Sequence, residues 1–329
     1  MLDAIVIGAG PCGLATAITL KKAGLQAKIL EKGYLVNSVY HYPLSMTFFS
    51  TPEKIEIGGV PFITAGDKPT RHEALKYYRT IANYFDLDIH TREEVQEIKK
   101  CAGGFQIVAV NRSGKQVYGT RNVILATGYY DQPNRLGIPG EDQDHVYHYF
   151  REAHPFAGTN CIVIGGKNSA VDTALELQLA GANVTLIHRR TGIDSSVKAW
   201  VKPMIENAIH FGRIDARFEA VAEKITQDSI HIKQNGKEEV LPADFVFAMT
   251  GYRPNLRFVK HLGGQIDPLH QCPIYDEETM ETSVSGLYLA GVVASGNDSG
   301  KIFIENGRFH GDKIASHIKQ KQGISETVS

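Results

Sequence analysis

Two stretches of the chain repeat one pattern of apolar and polar positions. Residues 4–32 begin with the apolar run Ala4-Ile5-Val6-Ile7, turn at glycines, continue as an amphipathic helical stretch and end in a second apolar strand. Residues 161–189 align on them without a gap. Nine of the 29 positions are identical, including the Ile-Val-Ile-Gly that leads into each turn and the Ala-Gly pair that closes each helix. A short apolar run ending in a turn predicts a strand buried on both faces. Strand, turn, helix and strand together make a βαβ unit, whose right-handed crossover implies a parallel sheet. Two further segments, Ile124-Leu125-Ala126-Thr127-Gly128-Tyr129 and Phe247-Ala248-Met249-Thr250-Gly251-Tyr252, read as strands ending in Thr-Gly-Tyr, with breaks at Pro133, Pro139 and Pro254. Residues 286–291 form another buried strand, and a helix is expected from about Lys301 to Lys319.

The first turn, Gly8-Ala9-Gly10-Pro11-Cys12-Gly13, is a complete G-x-G-x-x-G that follows a strand and opens a helix. Glu31 ends the second strand 18 residues after Gly13. In that context the glycines have separate duties. Gly8 permits the turn, Gly10 lets a pyrophosphate approach the backbone, and Gly13 lets helix and strand pack closely. The helix N-terminus offers oriented N–H groups to the phosphates, and Glu31 is placed to accept from an adenosine ribose. The second turn, Gly165-Gly166-Lys167-Asn168-Ser169-Ala170, puts Lys167 where the middle glycine stood, so a pyrophosphate sits farther out or meets the lysine. His188, Arg189 and Arg190 take the ribose-reading position. A carboxylate there repels a 2′-phosphate and a guanidinium binds it, so this site reads as NADPH rather than NADH. The fold class expected is α/β, with two Rossmann-type dinucleotide-binding domains and the second inserted into the first. A discontinuous FAD-binding domain takes residues 1–128 and 254–329, and an NADPH-binding domain takes residues 129–253.

Composition narrows the picture. At 329 residues, 43% hydrophobic and 22% charged, the chain suits a two-domain enzyme, and a net charge of −1 carries no footprint for nucleic acid or an anionic membrane. No apolar run reaches the roughly 18 residues of a membrane helix, and Met1-Leu2-Asp3 leads straight into a strand without a signal-peptide pattern, so a cytoplasmic location is expected. Cys12, Cys101, Cys161 and Cys272 are scattered, without metal-ligand or disulfide-framework spacing. No metal is expected. Cys161 falls in a buried strand, Cys101 and Cys272 in loop-like segments, and the charged end around Lys319-Gln320-Lys321 reads as a frayed helix terminus.

This order of nucleotide units and Thr-Gly strands, closed by Leu289-Ala290-Gly291, resembles the two-dinucleotide-binding-domain flavoproteins, among them the low-molecular-weight thioredoxin reductases. Two departures matter. The thioredoxin reductase C-x-x-C is replaced by His148-Tyr149-Phe150-Arg151-Glu152-Ala153-His154-Pro155, which argues against thioredoxin reduction. The acidic residue that follows the last Ala-Gly in that group is Val292 here, so FAD is contacted there by other means, such as backbone. A narrower resemblance rests on five stretches in order: G-P-C-G at residues 10–13, T-F-F-S at 47–50, H-Y-F-x-E-A-H-P at 148–155, G-G-K-N-S-A at 165–170 and I-F-I-E-N-G-x-F-H-G at 302–311. Together they are similar to the YpdA/Bdr family of NADPH-dependent bacillithiol disulfide reductases. The resemblance implies FAD, NADPH, a small-molecule disulfide as substrate and Cys12 as the catalytic residue. The expected FAD contacts are Gly8, Gly10, Pro11, Cys12, Gly13, Glu31, Lys32, Phe49, Ser50, Ala126, Thr127, Gly128, Gly291, Val292 and Ile302. The expected NADPH contacts are Gly165, Gly166, Lys167, Asn168, Ser169, Ala170, His188, Arg189 and Arg190. A homo-oligomer is expected, with no nucleic acid or membrane partner.

The chemistry of Cys12 is open at this stage. The first turn of a helix favours a thiolate, a neighbouring pyrophosphate opposes it, and the residue also fits as a small side chain in a tight turn. One cysteine attacking a disulfide would leave a mixed disulfide for the flavin to resolve; direct reduction at the flavin with Cys12 assisting is the alternative. For the substrate, residues 196–202 (Ser-Val-Lys-Ala-Trp-Val-Lys) and Tyr40-His41-Tyr42 offer cations and polar rings, though surface lysines commonly serve solubility. Rival activities are a thioredoxin-reductase-like ferredoxin–NADP reductase, a flavin monooxygenase (Gly140 and His145 imitate its F-x-G-x-x-x-H, with Ile138 for Phe and the His one residue late) and a non-catalytic flavin-binding redox sensor.

Overall fold

The computed structural model describes residues 1–297 and 300–323. The chain divides into two compact units, Met1–Gln132 with Arg253–Ser329, and Pro133–Tyr252. The breaks fall four residues beyond Gly128 and one before Pro254.

The first unit opens with strand β1 (Leu2–Ile7), helix α1 (Pro11–Lys22) and strand β2 (Ala27–Glu31). Ala4, Ile5 and Val6 are fully enclosed, as a strand covered on both faces requires. Short helices α2 (Asn37–His41) and α3 (Pro52–Ile55) lead to α4 (Arg71–Tyr84). The start of α4 is fixed by a capping box in which Thr70 and Glu73 satisfy each other's backbone N–H groups. Strands β3 (Ile89–Thr91), β4 (Glu94–Cys101), β5 (Gly104–Asn111) and β6 (Gly114–Leu125) follow. Cys101 is thus the last residue of a strand, not part of a loop; the strand carries it past the run of exposed polar positions that hides its periodicity. Strand β6 changes partner along its length. Its first part pairs with β5 antiparallel, and its last part pairs with β1 in parallel.

The second unit runs through β7 (Val146–Tyr147), β8 (Asn160–Ile164), α5 (Asn168–Leu179), β9 (Asn183–His188), α6 (Lys202–His210) and β10 (Ile214–Phe218). An antiparallel trio, β11 (Ala220–Ile225), β12 (Ser229–Gln234) and β13 (Lys237–Pro242), precedes β14 (Phe245–Ala248). The parallel sheet has the order β10-β9-β8-β14-β7. Both Thr-Gly-Tyr segments lie where expected, at the carboxyl ends of β6 and β14.

The chain then returns to the first unit with α7 (Arg257–His261), β15 (Leu287–Leu289), a 3-10 turn (Gly291–Ser295), α8 (Ile304–Gly307) and α9 (His310–Lys321). Strand β15 pairs in parallel with β6, completing a sheet of order β3-β2-β1-β6-β5-β4 with β15 also on β6. The single helix expected from Lys301 is two. Asn306 turns its amide onto the backbone before it, accepting from Phe303 N–H and donating to the Lys301 carbonyl, each at 2.8 Å, and the first piece stops at Gly307. The charged terminus is not frayed either: helix α9 continues through Lys321, whose Nζ lies 2.6 Å from Glu281 and 2.9 Å from Ser285 Oγ. Among the described residues no helix is long and apolar enough to cross a membrane.

Candidate functional site

In the first unit the glycine turn joins β1 to α1 at the carboxyl edge of the parallel sheet, where open α/β sheets take ligands. Gly8 has φ +108°, and a Cβ there would stand 2.4 Å from the Ala126 carbonyl oxygen. A Cβ on Gly13 would stand 2.1 Å from the Gly8 oxygen. These two glycines exist because strand, turn and helix touch. Gly10 differs: nothing lies within 4 Å of its Cβ position, so its backbone faces an open approach. It caps α1, with Pro11 in the first helical position. Thr127, just past β6, has a buried hydroxyl with no partner, and Gly128 beside it (φ +65°) is open on its Cβ side. An open cradle and an orphaned hydroxyl at one sheet edge suit a phosphate-bearing cofactor.

Glu31 is buried and accepts from Ala9 N–H at 2.8 Å and Gly33 N–H at 2.7 Å. Burial raises its pKa, opposed by those two hydrogen bonds. Lys32 pairs with Asp131 at 2.7 Å. Phe49 is half-buried, and Ser50 donates from its hydroxyl to Glu305, tying the T-F-F-S stretch to α8. Arg308 reaches the same loops, donating to the carbonyls of Glu53 (2.9 Å) and Glu56 (2.5 Å).

Cys12 occupies the first turn of α1, as expected, but its surroundings were not legible. A Cβ on Gly291 would lie 2.8 Å from Cys12 Cβ and 3.0 Å from Sγ. One on Gly307 would lie 2.8 Å from Sγ, 3.1 Å from Gly291 Cα and 3.3 Å from Ile302. The thiol is therefore enclosed by two glycines from the far end of the chain. The residue as a whole keeps some surface, but burial pushes the thiol up to about 12. Gly291 (φ +76°) donates its N–H to His310 Nδ1 at 3.2 Å. Val292 is half-buried and offers its carbonyl to the Ser295 hydroxyl. His310, Glu305 and Gly307 belong to the I-F-I-E-N-G-x-F-H-G stretch, whose only sequence signal was resemblance.

In the second unit, Gly165 (φ +148°) packs as Gly8 does: its Cβ would stand 2.5 Å from the Met249 oxygen and 2.8 Å from Ala170 Cβ. Gly166 is backed by the His188 ring, which would come within 2.4 Å of a Cβ. His188 is buried, and burial lowers its pKa, helped by Arg190. Lys167 and Ser169 are exposed, and Ala170 is enclosed. Asn168 binds the loop that follows β9, accepting from Lys198 N–H at 3.0 Å and donating to the Ser196 carbonyl at 3.3 Å. Residues 196–198 are thereby fastened to the turn. Arg189 is exposed, while Arg190 pairs with Asp194 at 2.9 Å. The hydrogen bonds from Ser196, then the nearby cations, hold Asp194 below the usual carboxylate range. Gly140 and His145 have structural surroundings: a Cβ on Gly140 would strike the Ile225 carbonyl, and the His145 carbonyl accepts from Val246 N–H.

The family model described as pyridine nucleotide-disulphide oxidoreductase matches residues 5–291. The bacilliredoxin reductase Bdr of Bacillus subtilis is 46% identical over 97% of this chain and 98% of its own length. The solved bacillithiol disulfide reductase Bdr (YpdA) from Bacillus cereus superposes with a TM-score of 0.96 at 44% identity, covering 97% of this chain and 99% of that one. A ferredoxin–NADP reductase of Ignicoccus hospitalis is 31% identical over 88% of this chain and 90% of its own.

Proposed function

Because this chain belongs to the pyridine nucleotide-disulphide oxidoreductase family, we propose that it reduces bacillithiol disulfide, a low-molecular-weight disulfide, with electrons from NADPH. The balance is NADPH, one proton and the disulfide giving NADP⁺ and two thiols. The observation that carries the reading is an end-to-end match, over both units, to solved structures named for that reaction. FAD is assigned to the first unit and NADPH to the second. Bound there, they supply hydride transfer from the nicotinamide and two-electron delivery to the disulfide.

The chain's own residues hold and orient. Gly10 leaves room for a pyrophosphate, and the unpaired N–H groups at the start of α1 meet its charge. A carboxylate has about four acceptor positions; Glu31 uses two on Ala9 and Gly33 and keeps two for ribose hydroxyls. Arg189 and Arg190 supply guanidinium groups for a 2′-phosphate. Burial holds the proton on Cys12 Sγ at neutral pH, so Cys12 rests as a thiol and becomes a nucleophile only when binding of cofactor and disulfide draws that proton off. No disulfide forms among the described residues, which suits the reducing cytoplasm, where we place the enzyme as a homo-oligomer.

The test is NADPH oxidation by the pure holoenzyme with bacillithiol disulfide, glutathione disulfide, ferredoxin or oxygen alone. Rapid turnover is expected with bacillithiol disulfide. Faster turnover with ferredoxin would move the chain to the activity named for its archaeal relative, and oxidation equally fast with oxygen alone would overturn the reading.

A further inference from the structure

Cys12 is held from above by a turn whose first residue is held by a side chain of α9. The turn begins at Gly291, directly after β15, in the left-handed region at φ +76°. Its Cα side presses on Cys12, since a Cβ there would come within 3.0 Å of Sγ. On the other side its N–H, which no strand partner takes, donates to His310 Nδ1 at 3.2 Å. His310 is the first residue of α9, and α9 is fixed against α1: a Cβ on Gly311 would lie 2.7 Å from Thr16 Cα, and Thr19 Oγ1 donates to Asp312 at 3.2 Å. The imidazole is thus anchored to the same helix that carries the thiol.

We infer that His310 is a positioning residue for Cys12, its neutral ring accepting from Gly291 and so holding that turn closed over the thiol. The inference rests on Cys12 being the reacting thiol only for its functional meaning, not for its geometry. A ring that accepts at Nδ1 carries its proton on Nε2. A protonated ring has donors at both nitrogens and could not take the Gly291 N–H. Burial, aided by the Lys313 charge, lowers the pKa of His310 to about 4, so the accepting form persists throughout the neutral range.

The substitutions that separate this role from simple packing are His310→Leu, which keeps bulk and loses the acceptor, and His310→Asn, whose amide oxygen can stand near Nδ1. The readout is iodoacetamide modification of Cys12 in the holoenzyme at pH 8, followed peptide by peptide. In His310→Leu the rate should rise roughly five- to tenfold, the increase in locally opened molecules that losing one buried hydrogen bond produces. His310→Asn should stay within about threefold of the wild type on the same reasoning. An unchanged rate in the leucine variant, or equal rates in the two variants, would overturn the inference. If the leucine variant does not fold, nitrogen-15 spectra of the histidine-labelled wild-type holoenzyme decide. A bare Nδ1 and protonated Nε2 at His310 support the assignment, and a protonated Nδ1 overturns it. Disulfide turnover measured beside these rates keeps the questions apart, because a failed substrate assay leaves the modification result standing.

Discussion

The enclosure of Cys12 predicts a thiol that is almost inert in the cofactor-free protein. Only the thiolate reacts with iodoacetamide. With a pKa of about 12, Cys12 is thiolate in about 3 of 100,000 molecules at pH 7.5. An ordinary exposed thiol, near 8.5, is thiolate in about one of ten. Cys101 is exposed at the end of β4 and serves as the reference within the same molecule. Cys12 should therefore react roughly 3,000-fold more slowly than an ordinary exposed thiol at pH 7.5, from the ratio of those two fractions. Its rate should then climb about tenfold for each pH unit up to the alkaline limit of folding. The assay is a pH series of short iodoacetamide exposures, quantified by mass spectrometry of the two peptides. A Cys12 rate near that of Cys101, levelling below pH 9, would mean that the helix terminus outweighs burial. Cys12 would then be a standing nucleophile, and the protonated resting thiol described above would be wrong.

Cys12→Ser should keep FAD and its reduction by NADPH, while disulfide-dependent turnover collapses, because a serine hydroxyl cannot replace a thiol in exchange; stopped-flow and steady-state rates in one preparation check the split. Gly10→Val places a branched side chain in the open approach and should yield a colourless protein by absorbance, and full flavin content would remove the first turn from the FAD site. Arg189→Ala should weaken NADPH by about 1.5–3 kcal/mol and spare NADH, measured by titration, because Arg189 is not tied to Asp194 as Arg190 is; equal losses with both cofactors would refute the 2′-phosphate assignment. Burial, with Glu176 nearby, raises Asp172 to about 6, so the folded state prefers its neutral form. That preference is fully present below the unfolded value near 4 and lost as pH rises through 6, so Asp172→Asn should raise the melting temperature at pH 7.5 by about 2–4 °C and leave it unchanged near pH 4.

How far the sequence reached depended on how local each feature is. Gly8, Gly13 and Glu31 lie within one βαβ unit, so spacing alone located them; Gly13 packs on the Gly8 carbonyl, while Glu31 bonds to Ala9 and Gly33. The second copy was equally plain in Gly165 and Ala170. What escaped lies across long separations or in competition between neighbours. Gly291 and Gly307 meet Cys12, and His310 meets Gly291, only because β15 pairs with β6 and α9 packs on α1, which no periodicity announces. The fastening of residues 196–198 by Asn168 needs the loop after β9 to fold back, and Arg190 spends its charge on Asp194 for the same reason. The break before α9 escaped because helical propensity favours continuation, whereas Phe309 N–H bonds to the Asn306 carbonyl three residues back rather than to the one four back. Cys101 looked like loop because Lys99 and Lys100 mask the alternation of an edge strand.

The enclosure of Cys12 also has a history in time. The thiol leaves the ribosome well before the glycines that cover it, which are encoded some 280–295 residues later. At roughly 5–20 residues per second, the chain is without its cover for about 15–60 s during synthesis. Through that interval Cys12 is an ordinary cysteine, open to oxidants and to capture by other thiols in a way the finished molecule is not. A nascent chain adducted at Sγ could not seat Gly291 and Gly307 at their observed distances, so damage at the first helix would surface as failure to dock the last one.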